Sequence, residues 1–397
     1  MNPGPLFAVA LAAITLVGPL AIHLFLPAMP AVKAAFGISD AIAQLTLSVT
    51  LFGMAFLTLV YGSLSDRYGR RRALLWGMFV FLAGTAATVV ADDVWLFVAG
   101  RFLQAAGAAA GGALSRAIAR DVYGEDKLVK AIAYLTMAYT LGPMLAPPIG
   151  GFLVDGFGWR ALFLFAFGLG AVITLFAYLV IFETHRPHPV PGATRAMFTS
   201  YPRLFSSARF CGFVFQSGFS TGAFFSIAVA STYLMKDYLG RSAVEFGLFF
   251  LAFPIGFSSG NFIASRLSGR VKVETMVLVG AIVAIATVAT QDALILSGAV
   301  NPWTIFVPGG IVTFAQGLSL PNAQSGAMRI APAYAGTAAG VGGFMSLFFA
   351  ALFTELVGVF ADGTPIPMIA LASCAAILSL ASASTPFVLA RRRGSRT

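Results

Sequence analysis

The chain has 397 residues, of which 58% are hydrophobic and only 10% are charged, against about 25% charged residues in a typical soluble domain. This composition excludes a soluble globular protein, whose surface needs more polar side chains to stay dispersed. The net charge of +10 suggests a nucleic-acid partner, but the placement of the basic residues argues against it, and two cysteines inside apolar runs exclude a disulfide framework.

Apolar runs of about 20 residues recur along the chain, and each can cross a hydrocarbon core of about 30 Å as a helix. Barrel strands are not indicated, because they alternate polar and apolar residues, whereas these runs are apolar all round. We therefore predict an all-α membrane protein with twelve helices, the first of them a retained helix rather than a signal peptide. Their approximate ranges are Leu6–Met29, Ala41–Leu64, Ala73–Val90, Val94–Ala117, Leu128–Val154, Ala161–Phe182, Phe210–Met235, Val244–Leu267, Val273–Leu296, Trp303–Ala327, Gly336–Phe360 and Pro365–Ala390.

A polar, proline-rich stretch divides these helices into two groups of six. We expect an N-terminal bundle over residues 1–182, a linker over 183–208, and a C-terminal bundle over 209–397 that ends in a short basic tail. The loops after helices 2 and 8 share a faint sequence similarity, which favours an internal duplication. Two pseudo-symmetric halves with a substrate site near the midplane are a recurrent transporter design.

The basic residues predict the orientation. They concentrate in alternate connections, as in Arg67–Arg72 and in the tail Arg391–Arg393, and are sparse in the others. Because cytoplasmic loops carry the excess of lysine and arginine, both termini and the linker are expected to be cytoplasmic in a multi-pass protein of the bacterial inner membrane. This distribution also accounts for the basic charge without a nucleic-acid partner.

The loop after helix 2 carries the strongest local signal, with Gly62, Asp66, Gly69 and Arg70 at characteristic spacing. Glycine lets helices approach closely, and an aspartate at a helix end can accept charge-assisted hydrogen bonds from arginine. Such contacts can form in one conformation and break in another. The alternative is a plain basic cytoplasmic loop.

Helix 4 places Arg101 and Gln104 three residues apart, on one face. An arginine at the centre of a span costs about 2.5–3.5 kcal/mol on insertion scales, so it normally faces a cavity or a partner. The alternative is that Arg101 lies near the outer end of the helix and reaches the interface. Helix 5 carries a run of small residues and prolines: Gly142, Pro143, Ala146, Pro147, Pro148, Gly150 and Gly151. The prolines remove backbone donors and are expected to kink the helix, and a purely structural kink is the alternative to a functional motif.

Together these motifs resemble the major facilitator superfamily, and within it the bicyclomycin- and chloramphenicol-resistance branch of drug:proton antiporters. The segment Phe25-Leu26-Pro27 and the run Arg116-Ala-Ile-Ala-Arg120 also fit that branch. The resemblance implies the superfamily fold, a conformational latch at Gly62, Asp66, Gly69, Arg70 and Arg120, and proton coupling through Arg101. It also implies an antiporter motif at Gly142, Pro143, Pro147, Gly150 and Gly151.

One departure concerns the proton carrier. The branch usually has an acidic residue two positions before the aromatic at Phe25, where this chain has His23. Histidine can replace it, because its unperturbed pKa near 6.5 allows proton exchange around neutral pH. Glu355 in helix 11 is the other candidate. The structural alternatives are a hydrogen-bonded buried histidine and a glutamate solvated at the interface.

Polar and aromatic residues on several helices could line a cavity for an amphipathic molecule, although any one ring can equally face lipid. These candidates are Gln44, Ser48, Gln104, Gln216, Phe219, Phe253, Asn261, Gln316 and Asn322. We expect no metal, no cofactor and no enzyme activity, since no ligand cluster, phosphate-binding loop or nucleophile–base constellation is found. The function indicated is proton-coupled export of small organic compounds by alternating access, by a monomer. The alternative is an importer or facilitator, for instance of a siderophore or metabolite.

Overall fold

The computed structural model describes residues 4–185, 201–330 and 332–394. In this region of the chain twelve helices are long and apolar enough to cross a membrane and no strand is found, so the predicted all-α class with twelve spans is confirmed. Spans 1 to 12 are Pro5–Phe36, Asp40–Tyr68, Arg70–Val90, Val94–Tyr123, Lys130–Phe157, Trp159–Val180, Ala208–Tyr238, Ala243–Leu267, Val273–Leu296, Pro302–Ile330, Ala335–Val359 and Ile366–Ala390.

Several spans are interrupted or extended. Span 1 consists of the helix Pro5–His23, a 3-10 turn at Leu26–Ala28 and the helix Met29–Phe36. Pro27 lies in the turn, where its missing N–H is tolerated. Spans 4 and 5 belong to one continuous helix, Val94–Phe157.

Further departures from simple helices occur in the second half of the chain. Span 7 is the helix Ala208–Tyr233 followed by a π-helical turn, Leu234–Tyr238. Span 8 is divided into Ala243–Phe250 and Ala252–Leu267, and the helix of span 12 continues to Gly394.

The chain forms two compact units. Unit 1 contains Met1–Pro191 together with the short segment Ser242–Leu248, and unit 2 contains Gly192–Arg241 and Phe249–Thr397. The segment Ser242–Leu248 is therefore packed in unit 1, although it belongs to the second half of the sequence. Most of the expected linker, residues 186–200, lies outside the described residues.

In unit 1, glycines bring the backbones of spans 3 and 4 into contact. A Cβ at Gly107 would overlap the backbone of Phe81, and a Cβ at Gly84 would overlap the backbone of Gln104. Small residues at such crossings are typical of helix pairs in membranes. The close approach fixes the face of span 4 that carries Arg101 and Gln104.

In unit 2, spans 8 and 10 pack in the same way. Cβ atoms at Gly256 and Gly260 would overlap the carbonyls of Gly310 and Phe314. A cluster of rings fills the space beside this contact, with Phe253 only 1% exposed. Spans 8 and 10 thus form a closely packed pair, and the polar side chains Gln316 and Ser319 of span 10 contact span 7.

Candidate functional site

Arg101 is the centre of the polar site in unit 1. Its side chain is buried, with 1% of the residue exposed. Nε donates a hydrogen bond to the carbonyl of Thr46 at 3.3 Å, Nη2 donates to the carbonyl of Ala21 at 3.1 Å, and Nη1 donates to Oε1 of Gln104. The guanidinium thus joins spans 1, 2 and 4, and Arg101 does not reach the outer interface, which was the alternative interpretation.

Two rings lie beside the guanidinium. Its carbon is 4.3 Å from the ring centroid of Phe25 and 5.7 Å from that of Phe163. Cation–π contacts of this kind contribute about 2 kcal/mol or more where the cation is desolvated. Among the described residues no carboxylate forms an ion pair with Arg101. The charge is therefore stabilised by carbonyl dipoles, an amide and aromatic faces.

Gln104 extends this site towards span 3. Its Nε2 donates to Oγ1 of Thr85 at 3.0 Å, and Thr85 in turn donates to the carbonyl of Phe81 at 2.7 Å. Hydrogen bonds in such a chain polarise one another in a low-dielectric interior. Arg101, Gln104 and Thr85 therefore belong to one connected network, which reaches from spans 1 and 2 through span 4 to span 3.

His23 lies close in sequence to two residues that contact Arg101. It is buried at the end of the helix Pro5–His23, between Ala21 and Phe25, and both of these residues contact Arg101. Glu355 lies in unit 2, half-buried and one turn before the end of span 11. The two candidate proton carriers thus belong to different units.

A further acidic residue was missed by the sequence reasoning. Asp292 lies in span 9, and its Oδ2 accepts a hydrogen bond from the hydroxyl of Ser373 in span 12 at 2.5 Å. Its Oδ1 is buried without a hydrogen-bond partner. The sequence could have identified it, because Asp292 is the one acidic residue within the apolar run 276–296.

The loop after span 2 forms a second polar cluster, centred on Arg70. Nη1 of Arg70 lies 2.6 Å from Oδ1 of Asp66 and donates to Oγ of Ser65, while Nε lies 3.0 Å from Oδ2 of Asp121. The side chain of Arg70 is 5% exposed, and those of Asp66 and Asp121 are 58% and 16% exposed. Arg70 therefore ties the end of span 2 to the end of span 4.

Glu183, just after span 6, completes this cluster and was not found from the sequence. Its carboxylate accepts hydrogen bonds from the backbone N–H groups of Arg70, at 2.7 Å, and Arg71, so it caps span 3. Gly69 has φ of +97° and would place a Cβ 2.5 Å from Glu183, so glycine is required there.

Two other latch candidates have open surroundings. No atom lies within 4 Å of the place a Cβ would take at Gly62, so the expected close approach does not occur there. Arg120 is exposed and makes no hydrogen bond or ion pair with a described residue.

The span 5 motif packs against span 1. A Cβ at Gly142 would overlap Pro19, and one at Gly150 would lie 2.5 Å from the carbonyl of Leu24. Gly151 faces Ala243 instead. The helix remains continuous through Pro143, Pro147 and Pro148. These glycines keep the backbone of span 5 close to its neighbours.

The polar candidates of unit 2 form two hydrogen-bonded pairs between spans 7 and 10. Nε2 of Gln216 donates to Oγ of Ser319, and Nε2 of Gln316 donates to Oγ1 of Thr221, both at 3.1 Å. Ser319 was missed, although it lies three residues after Gln316 on the same helix face. Asn322 donates to the carbonyl of Leu318 within its own span.

The remaining candidates are less connected. Gln44 and Ser48 are buried in span 2, and Ser48 donates to the carbonyl of Leu45. Phe219 is half-buried against Phe349, and Asn261 is half-buried in span 8. Phe253 packs against Phe250 and Phe306 within the core. Among the residues that the structure describes, no cluster of three histidine, cysteine or acidic side chains could hold a metal ion.

Comparison with known proteins agrees with this architecture. The family profile described as Major Facilitator Superfamily matches residues 11–354. Multidrug resistance protein D of Escherichia coli (strain K12) is 30% identical over 333 residues, 83% of either chain. The Bicyclomycin resistance protein homolog of Haemophilus influenzae is 27% identical over 387 residues, 95% of either chain.

Solved structures share the fold at low sequence identity. A peptide transporter POT in complex with sulfate superposes with a TM-score of 0.75 at 16% identity, covering 98% of this chain and 95% of its own. A D-xylose-proton symporter gives a TM-score of 0.73 at 14% identity, covering 94% and 96%. The family and fold inferred from the motifs are confirmed.

Proposed function

Because the chain belongs to the major facilitator superfamily, we propose that it exports small amphipathic organic compounds across the membrane in exchange for protons, by alternating access. The observation that carries this proposal is the buried Arg101 network of unit 1, in which a full charge is held among carbonyls, an amide and rings inside the spans. A charged side chain within the bilayer has a high free-energy cost, and residues of this kind usually have a functional role.

Export rather than import is favoured by the relatives. Those that match over most of their length include a multidrug resistance protein and a bicyclomycin resistance protein homolog. Resistance arises from lowering the internal concentration of a compound, so the same direction is proposed here. These relatives do not favour the importer or facilitator alternative.

His23 is our candidate for the proton carrier. In unit 1 the acidic side chains lie within one turn of a span end or outside the spans, as with Asp66, Asp121 and Asp155. Protonation of a group near a fixed charge is coupled to that charge, because two like charges in a low-dielectric site repel strongly. Glu355 and Asp292 are the corresponding candidates of unit 2.

The Arg70 cluster is proposed to act as the cytoplasmic latch, with both termini on the same side. The pattern of basic loops supports this orientation. In the proposed cycle the ion pairs of Arg70 form in one state and rearrange in the other. The amide–hydroxyl pairs of unit 2 and the polar face of span 2 contribute the substrate surface, and the transporting unit is a monomer.

The test is a flux measurement in proteoliposomes with an imposed pH gradient. A panel of neutral antibiotics and amphipathic cations is added while internal pH and substrate are followed together. The parent is compared with His23→Ala, Glu355→Gln and Asp292→Asn. His185→Ala serves as the matched histidine control, since His185 lies outside the spans.

We expect substrate-dependent proton movement in the parent and in His185→Ala, with loss of proton movement in His23→Ala. The sign of the proton movement distinguishes antiport from symport. Substrate flux without proton movement, unchanged in all variants, would indicate a facilitator and contradict the proposal. Loss only in Glu355→Gln or Asp292→Asn would move the carrier to unit 2.

A further inference from the structure

The beginning of span 8 is capped by its own residues. Oγ of Ser242 accepts a hydrogen bond from the N–H of Glu245 at 3.1 Å, and Oε2 of Glu245 accepts one from the N–H of Ser242 at 3.2 Å. This reciprocal arrangement is a capping box, which satisfies two of the backbone donors at a helix start. The N–H groups of Ala243 and Val244 are left over, because the first turn has no intrahelical acceptors.

Asp155 of span 5 takes both of these remaining donors. Its Oδ1 accepts from the N–H of Ala243 at 3.3 Å, and its Oδ2 accepts from the N–H of Val244 at 2.9 Å. A carboxylate at this position also meets the positive end of the helix dipole. The helix start is therefore completed by a residue that lies 88 positions earlier in the chain.

Two glycines allow the backbones to meet beside this cap. A Cβ at Gly151 would overlap the carbonyl of Ala243, and a Cβ at Gly247 would lie 2.5 Å from the carbonyl of Pro147. The contact therefore combines hydrogen bonds at Asp155 with direct backbone packing at the preceding turns of span 5. It is this contact that includes Ser242–Leu248 in unit 1, while the residues on either side belong to unit 2.

We propose that Asp155 is a releasable cap, and that its two hydrogen bonds to the start of span 8 break and re-form in each transport cycle. The segment Ser242–Leu248 is assigned to unit 1, but the chain on either side of it belongs to unit 2. In the proposed cycle this segment moves with the rest of span 8, which requires its contact with Asp155 to open. The inference rests on the proposed alternating access, but it concerns a residue outside every motif identified in the sequence.

The chemistry of the cap suits repeated release. Asp155 is exposed, so water can replace the two lost hydrogen bonds when the contact opens. The capping box stays with span 8, because both of its residues belong to the moving segment. The helix therefore keeps half of its cap in the open state and does not need to unwind.

The first experiment fixes the contact chemically. Asp155→Cys and Val244→Cys are combined in a background with Cys211→Ser and Cys374→Ser, and the pair is joined with a short bifunctional thiosulfonate. We expect substrate flux in proteoliposomes to fall more than tenfold and to return after reduction. Each single-cysteine variant is the control, and its flux should be the same before and after identical treatment with the reagent.

The second experiment needs no substrate. Ala243→Cys, in the same cysteine-free background, reports how often the segment is released, through its labelling rate with a membrane-impermeant maleimide. Removing a charge–dipole contact on an exposed helix end shifts an equilibrium by roughly two- to fivefold, so Asp155→Ala should raise the labelling rate by that factor. The labelling rate with Asp155→Asn, which keeps one acceptor oxygen, should lie between those of the parent and Asp155→Ala.

Asp93→Ala is the matched control. Oδ1 of Asp93 accepts from the N–H groups of Trp95 and Leu96 at 2.9 and 3.0 Å, so it makes the same kind of cap. It lies at the same end of unit 1, since Arg160, just after span 5, donates to the carbonyl of Ala91 at 2.9 Å. Its partners are its own neighbours, so its loss should leave labelling at Ala243→Cys unchanged.

Equal labelling of the parent and Asp155→Ala, or full flux through the cross-linked pair, would overturn the proposal. An equal increase in Asp93→Ala would also overturn it, because the effect would then be general loosening. If the parent shows no flux at all, the proposed function fails, and the labelling comparison still decides the role of Asp155.

Discussion

The two units differ in the chemical character of their buried polar side chains. In the described residues the buried side chains with a permanent charge are Arg70 and Arg101, and both belong to unit 1. The buried polar side chains of unit 2 are amides and hydroxyls, such as Gln216, Gln316 and Ser319. Among the described residues, the fully buried side chains with a permanent charge therefore belong to unit 1, whereas the fully buried polar side chains of unit 2 are neutral and its Asp292 is only half-buried.

The difference follows from desolvation. A guanidinium taken out of water loses several kcal/mol unless it is well partnered, so Arg101 needs acceptors from several spans together with two rings. In an amide–hydroxyl pair each group needs only the other as its hydrogen-bond partner, and the bond makes a modest net contribution to the free energy of folding. Unit 1 is therefore organised around a charge that constrains three spans, whereas each polar pair of unit 2 joins only two.

Replacing Arg101 should give the largest effect. Arg101→Ala removes the three hydrogen bonds that join spans 1, 2 and 4, and it leaves the amide oxygen of Gln104 without a donor, which costs about 1–3 kcal/mol for an unsatisfied buried group. We expect more than a tenfold loss of substrate flux and a lower unfolding temperature in detergent. Arg101→Lys keeps the charge but not the planar fork, so it should recover only a fraction of both.

The matched control for that experiment is Arg329→Ala, which removes an exposed arginine from the end of span 10. It should leave flux and unfolding temperature unchanged within error. Full recovery in Arg101→Lys would mean that charge alone matters, and the comparison between the units would then rest on electrostatics rather than on hydrogen-bond geometry.

The Arg70 cluster should show an intermediate effect. Arg70→Ala breaks contacts to Asp66, Asp121 and Ser65 and should reduce flux severalfold while the protein still inserts. Asp121→Asn should destabilise the fold more than Asp66→Asn, because the side chain of Asp121 is 16% exposed and that of Asp66 is 58% exposed. For an exposed pair we expect less than about 1 kcal/mol.

Thermal unfolding and flux measured on the same preparations separate a latch from a structural ion pair. If Asp66 contributes to a latch, Asp66→Asn lowers flux well beyond its small effect on stability. Proportional changes in both quantities would leave Asp66 with a structural role only.

The smallest effects are expected in unit 2. Gln316→Leu and Gln216→Leu each remove one hydrogen bond between spans 7 and 10, worth about 0.5–1.5 kcal/mol. A double-mutant cycle of Gln216→Leu with Ser319→Ala should return a coupling energy in that range. A larger change in KM than in stability would place Gln216 at the substrate, whereas no coupling would contradict the pairing seen in the structure.

The local patterns of the chain predicted much of this architecture. Hydropathy alone located all twelve spans, because a helix in a bilayer satisfies its own backbone and needs only a long apolar run. Span 9 has the predicted ends, Val273 and Leu296. The break in span 8 between Phe250 and Ala252 and the 3-10 turn Leu26–Ala28 in span 1 were not predicted.

The sequence by itself determined the family, the fold class and the number of spans, and it identified Arg101, Gln104 and Arg70 as candidate site residues. All of these depend on patterns that are local in the chain. Only the tertiary structure decided that Arg101 meets the carbonyls of Ala21 and Thr46, 80 and 55 positions away. It also decided that Glu183 caps span 3 and that Asp155 caps span 8. The physical reason is that backbone carbonyls and N–H groups occur at almost every position, so which of them becomes a partner depends on how the helices pack and not on residue type.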